Sequence, residues 1–236
     1  MVPSNVLAAT LILLIGSNVS AKNMALETND VTDHFLSTTI DWVFDLFLRH
    51  YTSKLIEQNK TQIEIQGFER GFSTKILSLR IEGVIKVEDG IAGNLSTLHR
   101  TGDAEMNRVN SILYLSAHLG LNDLQIDFDN YDISLLGAHQ KGRIHATVGT
   151  NSLFLKMKVQ VEPECAVLLE ELRIEKLEDI EVDITNLGIF ENLTDEITSW
   201  VINEVTKFYR SYVEEKLFPE LAAVVKEADL CHYIPH

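Results

Sequence analysis

The sequence lacks almost everything that marks an enzyme. It holds no GxSxG, HExxH, CxxC, GxGxxG or P-loop pattern. A nucleophile elbow, a zincin centre, a redox dithiol, a dinucleotide fold and a phosphate cradle are therefore all without support, and no catalytic residue, cofactor or metal is expected. Positive charge is scarce: 20 Lys and Arg stand against 35 Asp and Glu, a formal net charge of −15. No Lys or Arg occurs between Ser111 and Gln140, and from Glu162 to Glu196 only Arg173 and Lys176 offset 12 acidic residues. Such a surface repels nucleic acid and anionic membranes. Its acidity reads as a solvated outer face that keeps the chain in solution. Pro/Ser-rich linkers and internal repeats are missing, so no domain boundary suggests itself.

Long apolar runs are confined to the start. Val6–Gly16 (VLAATLILLIG) has the length of a signal-peptide core, and Val19–Ala21 places small residues where a signal peptidase reads. Residues 1–21 are read as a signal peptide cleaved after Ala21, and 22–236 as a single domain. The segment before the run lacks Lys and Arg, so a retained anchor is the alternative. No later segment is apolar enough for an integral membrane span. Export agrees with three glycosylation sequons, at Asn59, Asn94 and Asn192. The chain has 2 cysteines. In a secreted protein the pair Cys165 and Cys231 is expected to form a disulfide, with two unpaired thiols as the alternative.

Periodicity divides the rest into helix, strands and helix. From near Val31 to Gln58, Leu36, Ile40, Val43, Phe44, Phe47, Tyr51 and Leu55 keep to one helical face, with Asn29, Asp30 and Thr32 as candidate caps. From Ile63 to about Ile184 side chains alternate as in strands. Asp89-Gly90 reads as a hairpin turn. ILYLSAHL, LQIDFDN, YDISLLG, GRIHATVG and SLFLKMKVQVEP follow as a meander with Gly- or Asn-containing turns between them. Helix resumes near Asn192, capped by Asn192 or Thr194, with Ile197, Val201, Val205, Phe208, Tyr212 and Val213 as its stripe. Trp200, Ile202 and Tyr209 widen that stripe, and Pro219 either bends the helix or starts a second one.

These parts predict an α+β fold: a long curved antiparallel sheet wrapped around the long C-terminal helix, with the N-terminal helix alongside. The sheet face bearing Leu113, Leu115, Leu153, Leu155 and Met157 is expected to look toward Trp200 and Phe208, and an apolar ligand would lie in that gap. The aromatics Trp200, Phe208 and Tyr212 read either as core or as pocket lining. A dry, empty pocket of about 300 Å³ would cost about 7 kcal/mol, so such a gap would be either occupied or opened by movement of helix against sheet. Strand histidines such as His118 and His145 fall opposite the apolar register, where they read as surface groups. Asp127, Asp129 and Asp132 fail as a calcium loop because Tyr131 takes a ligand position and the glycine is missing.

FERGF (Phe68–Phe72), RTGDAEM (Arg100–Met106) and ILYLSAHLGL, in a helix–sheet–long-helix order, resemble the mite group 7 allergens, arthropod relatives of bactericidal/permeability-increasing and juvenile-hormone-binding proteins. The resemblance implies a single half-module of the tubular lipid-binding superfamily, with an apolar site for lipid-like ligands. The expected function is a secreted carrier or sensor of lipids or other apolar small molecules, without catalysis. The alternative is an innate-defence protein presenting lipid or a surface loop to a protein receptor or a microbe.

Overall fold

The computed structural model describes residues 40–76, 79–122, 124–160, 163–227 and 230–233. The expected signal peptide, the caps Asn29, Asp30 and Thr32, and Leu36 lie outside the described residues. Helix α1 covers residues 40–57. Ile40, Val43, Phe44, Phe47, Tyr51 and Leu55 are at most 4% exposed, so the periodic face is the buried one. Arg100 fixes the helix to the sheet through Asp41 (3.0 Å) and Asp45 (3.2 Å). Asp41 also accepts the Ala104 N–H at 2.7 Å.

Ten strands form one antiparallel sheet: β1 (Ile63–Ile65), β2 (Phe68–Ile76), β3 (Leu79–Val87), β4 (Gly90–Gly93), β5 (Leu98–Arg100), β6 (Glu105–Val109), β7 (Ile112–Leu121), β8 (Leu124–Leu135), β9 (Ala138–Gln160) and β10 (Ala166–Ile184). Their registers reveal a simpler object. β1 and β2 run along β4 and β3 in one continuous register (Ile65↔Gly90, Phe68↔Val87). β3 and β4 do the same along β8, and β7 and β8 along β9. The ten segments are thus five long strands broken by kinks, with β5 and β6 continuing the strand that β3 and β4 begin. Among the described residues the chain reverses at Asn110–Ser111 and at Leu136–Gly137.

Asp89-Gly90 is therefore not a hairpin turn, and Gly149–Asn151 separates no strands. Both are sites inside long strands where the ladder is interrupted, because Asn, Asp and Gly serve a kink as well as a turn. At one break, the Asn151 side chain accepts the Leu121 N–H (2.7 Å) and donates to the Leu121 carbonyl (2.9 Å). One amide side chain thus replaces the missing backbone pair. At another, Asp89 accepts the Gly67 N–H at 2.8 Å. A Cβ on Gly67 would stand 2.3 Å from the Val87 carbonyl oxygen, so only glycine fits where these kinks meet.

The chain returns through a 3₁₀ stretch (Gly188–Leu193) into α2 (Thr194–Tyr212), a π turn (Val213–Leu217) and α3 (Phe218–Glu227). Neither expected cap operates: Leu193 holds the N-cap position with no side-chain bond, and Thr194 Oγ1 donates back to Glu191. Pro219 falls in the first turn of α3, directly after the π turn, so a second helical segment does start there. The proline ring would clash with a carbonyl four residues back, and the π turn, which holds Glu215, loosens the ladder there. The buried stripe also differs by one position: Tyr209 turns inward at 4% exposure while Phe208 stays half-buried.

Sheet edges decide the architecture. β10, at one edge, packs on α2 and α3. β2, at the opposite edge, reaches the same helix through Phe72 against Trp200 (ring centroids 6.2 Å) and through the Arg70–Glu204 ion pair. Because both edges touch one helix, the sheet curls around it, and Ile197, Val201 and Val205 are at most 1% exposed. The expected disulfide is present: Cys165 and Cys231, 66 residues apart with Cα atoms 5.9 Å apart, clasp the tail of the helical segment to the start of β10. A loop of that size contributes about 4 kcal/mol in the chain-entropy model.

A carboxylate at either central position has no partner in this packing. Val201→Asp or Val205→Asp is expected to cost about 3–5 kcal/mol or to force the new group to stay protonated. Lys207→Asp, on the exposed side, is expected to stay within about 0.5 kcal/mol. Thermal melts of the three variants decide; equal tolerance at all three would refute the wrapped helix.

Candidate ligand-binding cleft

The wrap is incomplete where the first long strand kinks. Between Ile63–Arg70 on one side and the α2–π-turn face on the other lies an open cleft of about 900 Å³. Leu55 of α1 and Leu95, in the turn after β4, also line it. The strand supplies Ile63, Ile65 and Phe68, and the helix supplies Phe208, Ser211 and Tyr212. Local sequence explains this lining. The β1–β2 segment alternates, so Ile63 and Ile65 share a face, and Phe68 rejoins that interior beyond the Gly67 kink, edge-on to Phe128 at 6.0 Å. On the helix, Phe208 and Tyr212 are four residues apart and stack at 6.2 Å with an interplanar angle of 21°.

Polar groups ring this apolar floor. Arg70 and Glu204 pair across the cleft from strand to helix. The π turn brings Glu215 and Lys216 to its wall. Deeper in, the Tyr51 hydroxyl donates to Glu220 Oε2 at 3.4 Å. Burial pushes the Tyr51 phenol far above its usual range, and the neighbouring Tyr212 and Glu220 add to the shift. Burial raises Tyr212 in the same way, with Glu220 contributing. Tyr209, one position from Phe208, is raised by burial and by Tyr212.

Of the seven residues expected to line a ligand gap, Phe208 alone lines this cleft. Trp200 is half-buried against Phe72. Leu113, Leu115, Leu153, Leu155 and Met157 are 5%, 1%, 0%, 0% and 0% exposed. These five side chains are buried, and none of them lines the cleft. The cleft lies at the far edge of the sheet instead. Its strand residues escaped the sequence reading because β1 is only 3 residues long. The available signal was Gly67, an interruption between two short apolar clusters.

The sequon residues Asn59, Asn94 and Asn192 are all exposed. Strand histidines pair with carboxylates of other strands on the outer face: His118 with Glu175 across β9 (2.6 Å), His145 with Asp127 (2.6 Å) and His139 with Asp132 (3.0 Å). Two of the three aspartates weighed as calcium ligands are thus engaged elsewhere. Among the described residues no group of three or more His, Cys, Asp or Glu could hold a metal ion, and no helix is long and apolar enough to cross a membrane.

The family model for Group 7 allergens matches residues 39–227. Mite allergen Lep d 7 of Lepidoglyphus destructor is 24% identical over 176 residues, covering 74% of this chain and 76% of that allergen. Among solved structures, a lipopolysaccharide binding protein aligns with 75% of this chain at 13% identity and a TM-score of 0.40, and this chain spans 40% of its length. Takeout 1 of Epiphyas postvittana aligns with 69% of this chain and 76% of its own at 13% identity and a TM-score of 0.27.

The raised phenols have a consequence in alkali. A buried tyrosine that keeps its proton in the fold but loses it near pH 10 when unfolded favours the unfolded state above that pH. Stability is complete below about pH 10 and falls by about 1.4 kcal/mol per pH unit per such tyrosine above it. Alkaline melts should therefore steepen above pH 10, and Tyr212→Phe should flatten the slope, since Tyr212 is raised itself and raises Tyr51 and Tyr209. An unchanged slope in that variant would contradict the buried cluster.

Proposed function

We propose that this chain, which belongs to the Group 7 allergen family, is a secreted, non-catalytic binding protein for lipids or other apolar small molecules, held in the cleft between β1–β2 and the long helix. One observation carries the reading: about 900 Å³ of open space with an apolar floor of Ile63, Ile65, Phe68, Leu95, Phe208 and Tyr212. That volume falls within the range of small-molecule sites. An open cleft also avoids the penalty of a dry, empty cavity, because water fills it until a chain displaces the water. Secretion is supported by the apolar run at Val6–Gly16, the exposed sequons and the Cys165–Cys231 bridge. A half-open cleft leaves one side of a bound chain in view, which favours presentation of that chain to a protein receptor as the second reading.

Recognition of an acyl or isoprenoid chain rests on burial, at about 0.8 kcal/mol per CH₂. Delipidated protein is expected to take up the uncharged dye N-phenyl-1-naphthylamine saturably. Alcohols should displace the dye more strongly as they lengthen, until the cleft is full, with little dependence on salt. Phe208→Ala and Ile63→Asp should weaken uptake about tenfold. Leu115→Trp and Leu155→Trp overpack a solid core instead, and should lose about 1–3 kcal/mol of stability. No saturable uptake by the wild type, or undiminished uptake by both cleft variants, would refute the site.

A further inference from the structure

We propose that the cleft selects apolar chains ending in a hydroxyl over chains ending in a carboxylate. This rests on the reading of the cleft as the ligand site and adds the chemistry of the ligand's head. Tyr212 and Glu220 both line the cleft, and Tyr51 is buried behind them at 2% exposure. The single Tyr51 proton is directed at Glu220 Oε2, 3.4 Å away, and Tyr212 stands close enough to raise the Tyr51 phenol further. That arrangement leaves two functions unclaimed at one place: the O–H of Tyr212 as a donor and Oε1 of Glu220 as an acceptor. A hydroxyl is the small group that uses one of each, donating to the carboxylate and accepting from the phenol.

Charge points the same way. Among the described residues the Lys and Arg ion pairs engage carboxylates other than Glu220. Over the whole lining, 5 glutamates face the 4 cations Lys60, Arg70, Lys207 and Lys216, and Arg70 is taken by Glu204. A ligand carboxylate beside Tyr212 would meet Glu220 with no proton to share. Desolvating two like charges together is unfavourable. Because burial holds protons on both phenols, neither can add a further negative charge at neutral pH.

The test uses the full delipidated chain loaded with N-phenyl-1-naphthylamine at neutral pH. Dodecan-1-ol, dodecanoate and dodecylamine share one chain and differ in the head. Dodecanol is expected to displace the dye at about one tenth the concentration that dodecanoate needs, the scale of one charge-assisted hydrogen bond. Glu220→Gln should narrow that ratio to about twofold, with each displacement referred to the variant's own dye affinity. Tyr212→Phe should weaken dodecanol without improving dodecanoate, and it keeps the test decisive should Glu220→Gln fail to fold. Dodecanoate equal to or better than dodecanol, or dodecylamine better than both, overturns the hydroxyl preference and leaves the cleft standing as a ligand site. Loss of saturable dye uptake in the wild type overturns the ligand site and the head-group preference together.

Discussion

The long C-terminal helix is apolar on too many sides for a flat sheet to cover. Ile197, Val201, Val205, Tyr209 and Tyr212 are all buried, and Trp200 and Phe208 are half-buried beside them. Everything else in the fold follows from covering that surface. A sheet that must reach two flanks of one helix has to curl, and long strands curl where their ladders are broken. The kinks at Gly67–Asp89 and at Leu121–Asn151 supply the breaks, each with a side chain standing in for lost backbone bonds. α1 covers a further flank, held by Arg100 at one end and by the Lys54–Glu227 pair (2.7 Å) at the other.

The same constraint places the cleft. Near β1 and the start of β2 the curling sheet meets the helix through the Arg70–Glu204 strap and the Phe72–Trp200 contact. Where the strand kinks at Gly67, side chains of β1 and of the helix stand apart and leave the open space. On the helix side the π turn that accommodates Pro219 contributes Glu215 and Lys216 to the wall. A feature required by backbone chemistry thus furnishes part of the site.

Acidity and a large apolar interior coexist because they occupy opposite faces of the sheet. The outer face of the sheet carries the cross-strand histidine and lysine pairs with carboxylates, such as Lys156 with Glu170 at 2.8 Å. Such exposed pairs contribute little to stability, and they keep a long sheet face wetted. The inner face is hydrocarbon from Leu113 to Val159, with exposures of 5% or less at Leu113, Leu115, Leu153, Leu155, Met157 and Val159.

Much of this was written in the sequence. Period-2 alternation in SLFLKMKVQ, with lysines on one face and leucines on the other, determined both the strand and the side it buries. The 3.6-residue stripe from Ile197 to Val213 determined a helix that needs cover on several sides, and two cysteines in an exported-looking chain determined the bridge. Local chemistry, however, is silent on whether Asp89-Gly90 or Gly149–Asn151 turns the chain or only kinks it. Both outcomes use the same residues, and the choice rests on which strand supplies the partner. The site was hidden for the same reason. The sequence determined which faces are apolar, and it pointed to the largest pair of them, Leu153–Met157 against the helix. Tertiary packing buries Leu153, Leu155 and Met157 fully, as extensive apolar surface favours. It left the opening at the short, interrupted strand β1, where too little surface remained to finish the wrap.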